Sequence, residues 1–233
     1  MKKILFVVVA LFVVNIAFSQ DVKFGLKAGL NVAGLSDIEM SGGGFSIKLF
    51  EKDGMSVGFH AGAFANISFG DKIGFQPEFL FSMQGGKQKI GLGGLIESDE
   101  MNTKFSYHFN YVQVPLLLEI KPVANLGILI GPQLGYNLSR SVTISLNGMK
   151  ETFSGSDFDG GFADEEDGNI FKKFDAGLAI GLQYTLMEKI TIGARYNLGL
   201  TNSCNYSSTE DGIKVDMKGW KNNVFQLSVG ILF

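Results

Sequence analysis

The chain has 233 residues, a formal net charge of −3 and 18% charged residues, with 31 glycines and 21 phenylalanines. That charge gives no basic surplus of the kind nucleic acid attracts, and the length allows one or two domains. Cys204 is the single cysteine, so an internal disulfide is excluded.

Residues 1–19 read as a signal peptide. Lys2 and Lys3 form a basic start, residues 4–14 are an unbroken apolar run, and Ala17-Phe18-Ser19 fits the small-x-small rule, with cleavage expected after Ser19. The run is short for a bilayer span. With no cysteine at the cleavage point there is no lipoprotein signal. Residues 20–233 then form one exported domain. No later stretch approaches the roughly 18 consecutive apolar residues of a transmembrane helix.

The mature chain alternates instead, and period-2 alternation means strand. Eight strands are predicted. The first covers about 22–32, with Phe24, Leu26 and Leu30 on an apolar face and Lys23 and Lys27 opposite. The second, 57–69, sets Phe59 and Phe69 against His60 and Asn66. The third, 73–85, sets Phe75, Phe79 and Phe81 against Gln76, Glu78 and Gln84. The fourth and fifth form a hairpin over 111–136, in which Val112, Val114 and Ile120 oppose Gln113 and Glu119, and Ile128 and Ile130 oppose Gln133. The sixth, 174–186, sets Leu178 and Ile180 against Asp175 and Gln183. The seventh, 190–200, sets Ile192 and Tyr196 against Arg195. The eighth runs to the end, with Phe225, Val229 and Phe233 opposite Gln226.

Connections at 70–72, 121–125 and 187–189 are short. Those near 33–56, 86–104, 137–173 and 201–222 are long, glycine-rich and polar. Short turns on one side, long loops on the other and an even strand count match an up-and-down transmembrane β-barrel of a Gram-negative outer membrane. The apolar faces carry no charge, aromatics sit near the strand ends, and the chain finishes on Phe233. These features turn the apolar face to lipid. A soluble lipocalin-like carrier would reverse it and is the distant alternative. Pro77 and Pro115 lie inside strands, where each removes a ladder donor, so a bulge or locally broken pairing is expected at each.

The segments 111–119 (YVQVPLLLE), 131–135 (GPQLG), 24–32 (FGLKAGLNV) and 76–85 (QPEFLFSMQG) resemble the PorT-like outer-membrane barrel family of the Bacteroides group. The resemblance spans the mature chain and implies fold and location. One branch of that family serves a gliding-associated secretion system, and the family has no catalytic motif to carry over.

Eight strands enclose a space their own side chains can fill. Lys27, Glu78 and Arg195 fall at similar depth, and Glu78 is expected to pair with Arg195 or Lys27, because buried ions must be paired. His60 and Glu119 complete the expected lumen charge network. A narrow porin-like channel for small solutes is the alternative to a plugged structural and interaction barrel. No enzyme activity is expected: His108 and Ser106 share one strand face, without a recognised nucleophile motif. The third long loop concentrates oxygen ligands in Asp157, Asp159, Asp164, Glu165 and Asp167. It lacks the full spacing of a calcium loop, so no metal and no cofactor are expected. Trp220 and Tyr206 are expected to be interfacial anchors. The expected partners are outer-membrane lipid, the barrel-assembly machinery during biogenesis, and an envelope or secretion-system protein as a candidate; a monomer is expected, and no nucleic acid.

Overall fold

The computed structural model describes residues 21–42, 45–90, 103–146, 149–154, 172–210 and 213–233. They form β1 (Asp21–Leu35), β2 (Ile38–Gly42), β3 (Phe45–Ser68), β4 (Ile73–Ile90), β5 (Thr103–Val123), β6 (Leu126–Leu146), β7 (Met149–Ser154), β8 (Phe174–Leu186), β9 (Ile190–Gly199), β10 (Cys204–Glu210), β11 (Ile213–Gly219) and β12 (Asn222–Leu232). Eight of them make a ring in the order β1, β3, β4, β5, β6, β8, β9, β12. It closes because β1 pairs on one side with β3, from Asp21↔Ser68 to Ala33↔Ser56, and on the other with β12, from Gly25↔Leu232 to Leu35↔Asn222. Every pairing is antiparallel between chain neighbours around the ring, and closure leaves these staves no open edge.

Alternation decides which face each residue takes. Leu26, Phe79 and Ile180 are 54%, 61% and 50% exposed, whereas Gln76, Glu78 and Gln113 are buried. An apolar exterior around a polar interior reverses the arrangement of a soluble carrier and excludes the lipocalin-like alternative. Phe59, Phe69, Tyr136, Phe174, Tyr184 and Phe225 stand on the outside near the ends of the apolar band. Tyr136 and Phe174 meet edge to face, with centroids 5.0 Å apart. Phe75 is half-buried.

At the prolines the pairing breaks without a bulge. Between β4 and β5, Pro77↔Leu116 and Leu80↔Gln113 flank two skipped positions in unchanged register. Between β5 and β6 the ladder likewise skips from Pro115↔Gln133 to Leu118↔Ile130. Loss of one donor costs a local gap, and the bonds on either side hold the register.

The turn between β8 and β9 is strained. Met187 and Glu188 have φ of 50° and 58°, and the Lys189 amide donates to the Leu186 carbonyl at 3.0 Å. Two central residues with positive φ define a type I′ turn, which favours Asn-Gly. The double substitution Met187→Asn, Glu188→Gly is expected to stabilise the barrel by about 1 kcal/mol or more, read as a higher temperature for loss of the compact gel band. An unchanged temperature would show the turn relaxed.

The four long connections are not plain loops. β3 starts at Phe45, β4 continues to Ile90, β5 begins at Thr103 and β6 runs to Leu146, while β2, β7, β10 and β11 lie wholly within the predicted loops. β2 pairs with β3, β11 with β2, β10 with β11, and β7 with β6. Asp37 ties the start of β2 to β3: its carboxylate accepts from Lys48 Nζ and from the Lys52 amide, each at 2.9 Å. The Lys48 ammonium holds this carboxyl below its ordinary range.

Polarity inverts where the staves pass from membrane to extension. Along β5, the outward face changes from Val112 to Asn110, His108 and Ser106, and the inward face changes from Gln113 to Tyr111, Phe109 and Tyr107. On β6 a bulge leaves Leu138 unpaired between Tyr111↔Asn137 and Asn110↔Ser139. Beyond it Ser139 and Ser141 face out and Val142 faces in. Below the change the solvent outside is hydrocarbon; above it the solvent is water, so β5 and β6 swap their faces.

Candidate functional site

The lumen is a connected hydrogen-bonded column. Glu78, on β4, stands at its centre: Oε1 accepts from Lys27 Nζ of β1 at 2.6 Å, and Oε2 accepts from Arg195 Nη1 of β9 at 2.9 Å. One carboxylate thus meets both cations, three staves having brought side chains 51 and 117 residues apart in sequence into contact. Lys27 Nζ also lies 4.9 Å from the centre of the Phe64 ring, a cation–π contact.

The column extends both ways from that triad. Toward the short turns, Gln76 Nε2 donates to Glu78 Oε1 at 2.8 Å, and Asn66 Nδ2 donates to Gln76 Oε1 at 3.4 Å and to Glu119 Oε2 at 2.7 Å. Lys121 Nζ pairs with the same Glu119 oxygen at 3.3 Å. Toward the long connections, Arg195 donates through Nε and Nη2 to Gln226 Oε1 at 3.0 and 2.8 Å, and Gln226 Nε2 donates to Asn31 Oδ1 at 3.0 Å. His60 Nδ1 donates to the same Asn31 oxygen at 2.8 Å, which leaves His60 Nε2 without a partner. Asn31 Nδ2 reaches Ser82 Oγ at 3.0 Å, Gln84 Nε2 reaches the same hydroxyl at 2.9 Å, and Asn222 Nδ2 donates to Gln84 Oε1.

Above the column sits an apolar cap. Leu35, Ile38, Tyr107, Phe109, Tyr111, Val142 and Trp220 form one buried cluster. The Trp220 ring lies 4.5 Å from that of Tyr107 and 5.8 Å from that of Phe109, and its Nε1 donates to Gln88 Oε1 at 2.7 Å. Trp220 is therefore a buried core residue and not the interfacial anchor its position suggested: the polarity inversion puts aromatic side chains inside the extension. The side chain of Tyr206 lies outside the described residues.

At the short-turn end the lumen opens into a vestibule of about 680 Å³, lined by Lys23, Lys72, Glu119, Lys121 and Glu188 among others. Asn66 and Glu119 both line it and lie in the column, which continues inward from them.

Lys27, Glu78, Arg195, His60 and Glu119 all point inward and are buried. The first three meet directly, His60 joins them through Asn31 and Gln226, and Glu119 through Asn66 and Gln76. Asn31 is a member that the sequence did not single out, although it continues the odd-numbered inward register of Lys27 and Gly29. His108 is exposed on the outer face of β5. The third-loop acids Asp157, Asp159, Asp164, Glu165 and Asp167 lie outside the described residues.

A closed antiparallel ring with an apolar exterior and a polar, charge-paired interior defines an integral outer-membrane β-barrel. The outer membrane protein beta-barrel domain model matches residues 18–205; the chain belongs to that family and sits in the outer membrane of a Gram-negative bacterium. Among solved structures it is similar to Ail of Yersinia pestis, crystallised with the heparin analogue sucrose octasulfate, at 16% identity over 92% of this chain and 100% of that one, TM-score 0.40. It is also similar to OprG of Pseudomonas aeruginosa (16%, 91% and 95%, TM-score 0.47) and to a major outer membrane protein of Thermus thermophilus (10%, 92% and 100%, TM-score 0.47). No curated protein matches the chain.

Proposed function

We propose that this protein is a structural and interaction barrel of the outer membrane, non-enzymatic, and not a conduit for solutes. The observation that carries the reading is the unbroken column from Lys121 to Asn222 beneath the Trp220 cap. A solute crossing the barrel would have to separate the Glu78 ion pairs and displace the aromatic cluster. Export with cleavage after Ser19 is supported by the basic start, the apolar run and the small-x-small motif. The alternating apolar face of β12, with Phe225, Leu227, Val229 and Ile231 turned outward, supports recognition by the barrel-assembly machinery, and closure of the ring supports a monomer. The segments that resemble the PorT-like family make an envelope or secretion-system protein the partner to look for, with the folded extension as the contacting surface.

Planar-bilayer recording of the refolded protein is expected to show no unit conductance. Conductance steps that change size in Glu78→Ala would replace this reading with the porin-like channel. Cross-linking in intact cells from exposed extension positions such as Ser139 is expected to capture an envelope protein.

A further inference from the structure

Near the outer end of the polar column lies a small cavity of about 10 Å³, the size of one water molecule. Gly135, Gly177 and Gly199 leave the space, and Gln113, Gln133, Asp175, Asn197 and Asn222 line it. Four of those side chains are more than nine-tenths buried, and each has an oxygen without a partner: Gln113 Oε1, Gln133 Oε1, Asn197 Oδ1 and Asn222 Oδ1. Asn197 Nδ2 is likewise buried without a partner. Asp175 accepts a hydrogen bond from the Thr201 hydroxyl. Among the described residues no lysine or arginine forms an ion pair with this carboxylate.

A buried polar atom without a partner is costly, and the half-buried Asp175 carboxylate is stabilised by a counter-charge. A water molecule donates only two hydrogens. It cannot serve four amide oxygens and a carboxylate together. A small hard cation can, because amide and carboxylate oxygens are its preferred ligands. One carboxylate among neutral oxygens balances a single positive charge.

We infer that this cavity binds one alkali-metal cation of sodium size, held by Asp175 and the amide oxygens of Gln113, Gln133, Asn197 and Asn222. The cation completes the plug above the level of the lumen ion pairs, in which Lys27 and Arg195 are engaged with Glu78, and Lys121 with Glu119.

The test is the unfolding temperature of the full barrel in detergent, read from the compact gel band, in sodium, potassium and choline chloride at constant ionic strength. Sodium is expected to raise it over choline, on the order of 3 °C per tenfold rise above the dissociation constant, and potassium to raise it less. Gly135→Ala fills the cavity: its methyl would rest 3.4 Å from the Tyr111 ring and 3.5 Å from Asp175 Cβ, ordinary contacts that leave the fold intact. This variant and Asp175→Asn are expected to lose the sodium shift. Equal temperatures in all three salts mean that water fills the cavity, and they overturn the inference even if neither variant folds. A sodium shift that persists in Gly135→Ala places the cation elsewhere and overturns it too.

Discussion

Replacing Glu78 by alanine is expected to destabilise the barrel by about 3–5 kcal/mol, the cost of breaking a buried ion pair by removing one partner. The site makes the upper part of that range the expected one. Lys27 and Arg195 both lean on this carboxylate, at 2.6 and 2.9 Å, so its loss leaves two buried cations facing each other. Gln76 also loses its acceptor. The measurement is a urea titration of the compact gel band in detergent. Glu78→Ala combined with Lys27→Met is expected to be less destabilised than Glu78→Ala alone, because one of the stranded charges is gone; such non-additivity is the signature of a coupled cluster. Additive effects would show that Glu78 holds only one of its two partners. A folded Glu78→Ala barrel is expected to remain non-conducting, since the Trp220 cap stays in place.

Gly29→Ala is expected to prevent the ring from closing. A methyl at this position would overlap the Leu227 carbonyl oxygen of β12 and lie 2.7 Å from His60 Cε1 and from the Ser228 Cα. Two of those contacts are backbone, so no side-chain rotation relieves them. Gly29 pairs with Ser228 on one side and His60 on the other, in the middle of the stave that closes the ring against the C-terminal strand. The expected result is a protein that runs as unfolded whether boiled or not and is degraded during biogenesis. Gly135→Ala, which meets nothing closer than 3.4 Å, is the matched control that folds. A compact Gly29→Ala band would show that β1 and β12 can slide apart without loss of closure.

The eight staves, the direction of each face and membership among outer-membrane β-barrels were legible in the residues, because lipid imposes a strict rule. A stave crossing hydrocarbon must show apolar side chains at every second position, as Phe24, Leu26 and Leu30 on β1 and Ile190, Ile192 and Tyr196 on β9 do. The inward direction of Lys27, His60, Glu78, Glu119 and Arg195 followed from the same alternation. The extension was harder to read, because above the membrane the rule reverses its sign. Phe105, Tyr107, Phe109 and Tyr111 alternate with Ser106, His108 and Asn110 as cleanly as any membrane strand. The outward residues there are polar, however, and the glycine-rich flanks suggest loop. Trp220 was misplaced for the same reason.

Local alternation therefore determined that this chain is a lipid-facing barrel, since a period of two is a property of neighbouring residues. Beyond the expected pairing of Glu78 with Arg195 or Lys27, which inward side chains touch was decided by the tertiary structure. Contact depends on the stagger between staves, set by pairing along whole strands and by the bulge at Leu138. That stagger puts Glu78 between Lys27 and Arg195, gathers four buried amides and Asp175 around one small cavity, and carries Trp220 from a predicted loop into the seal of the lumen.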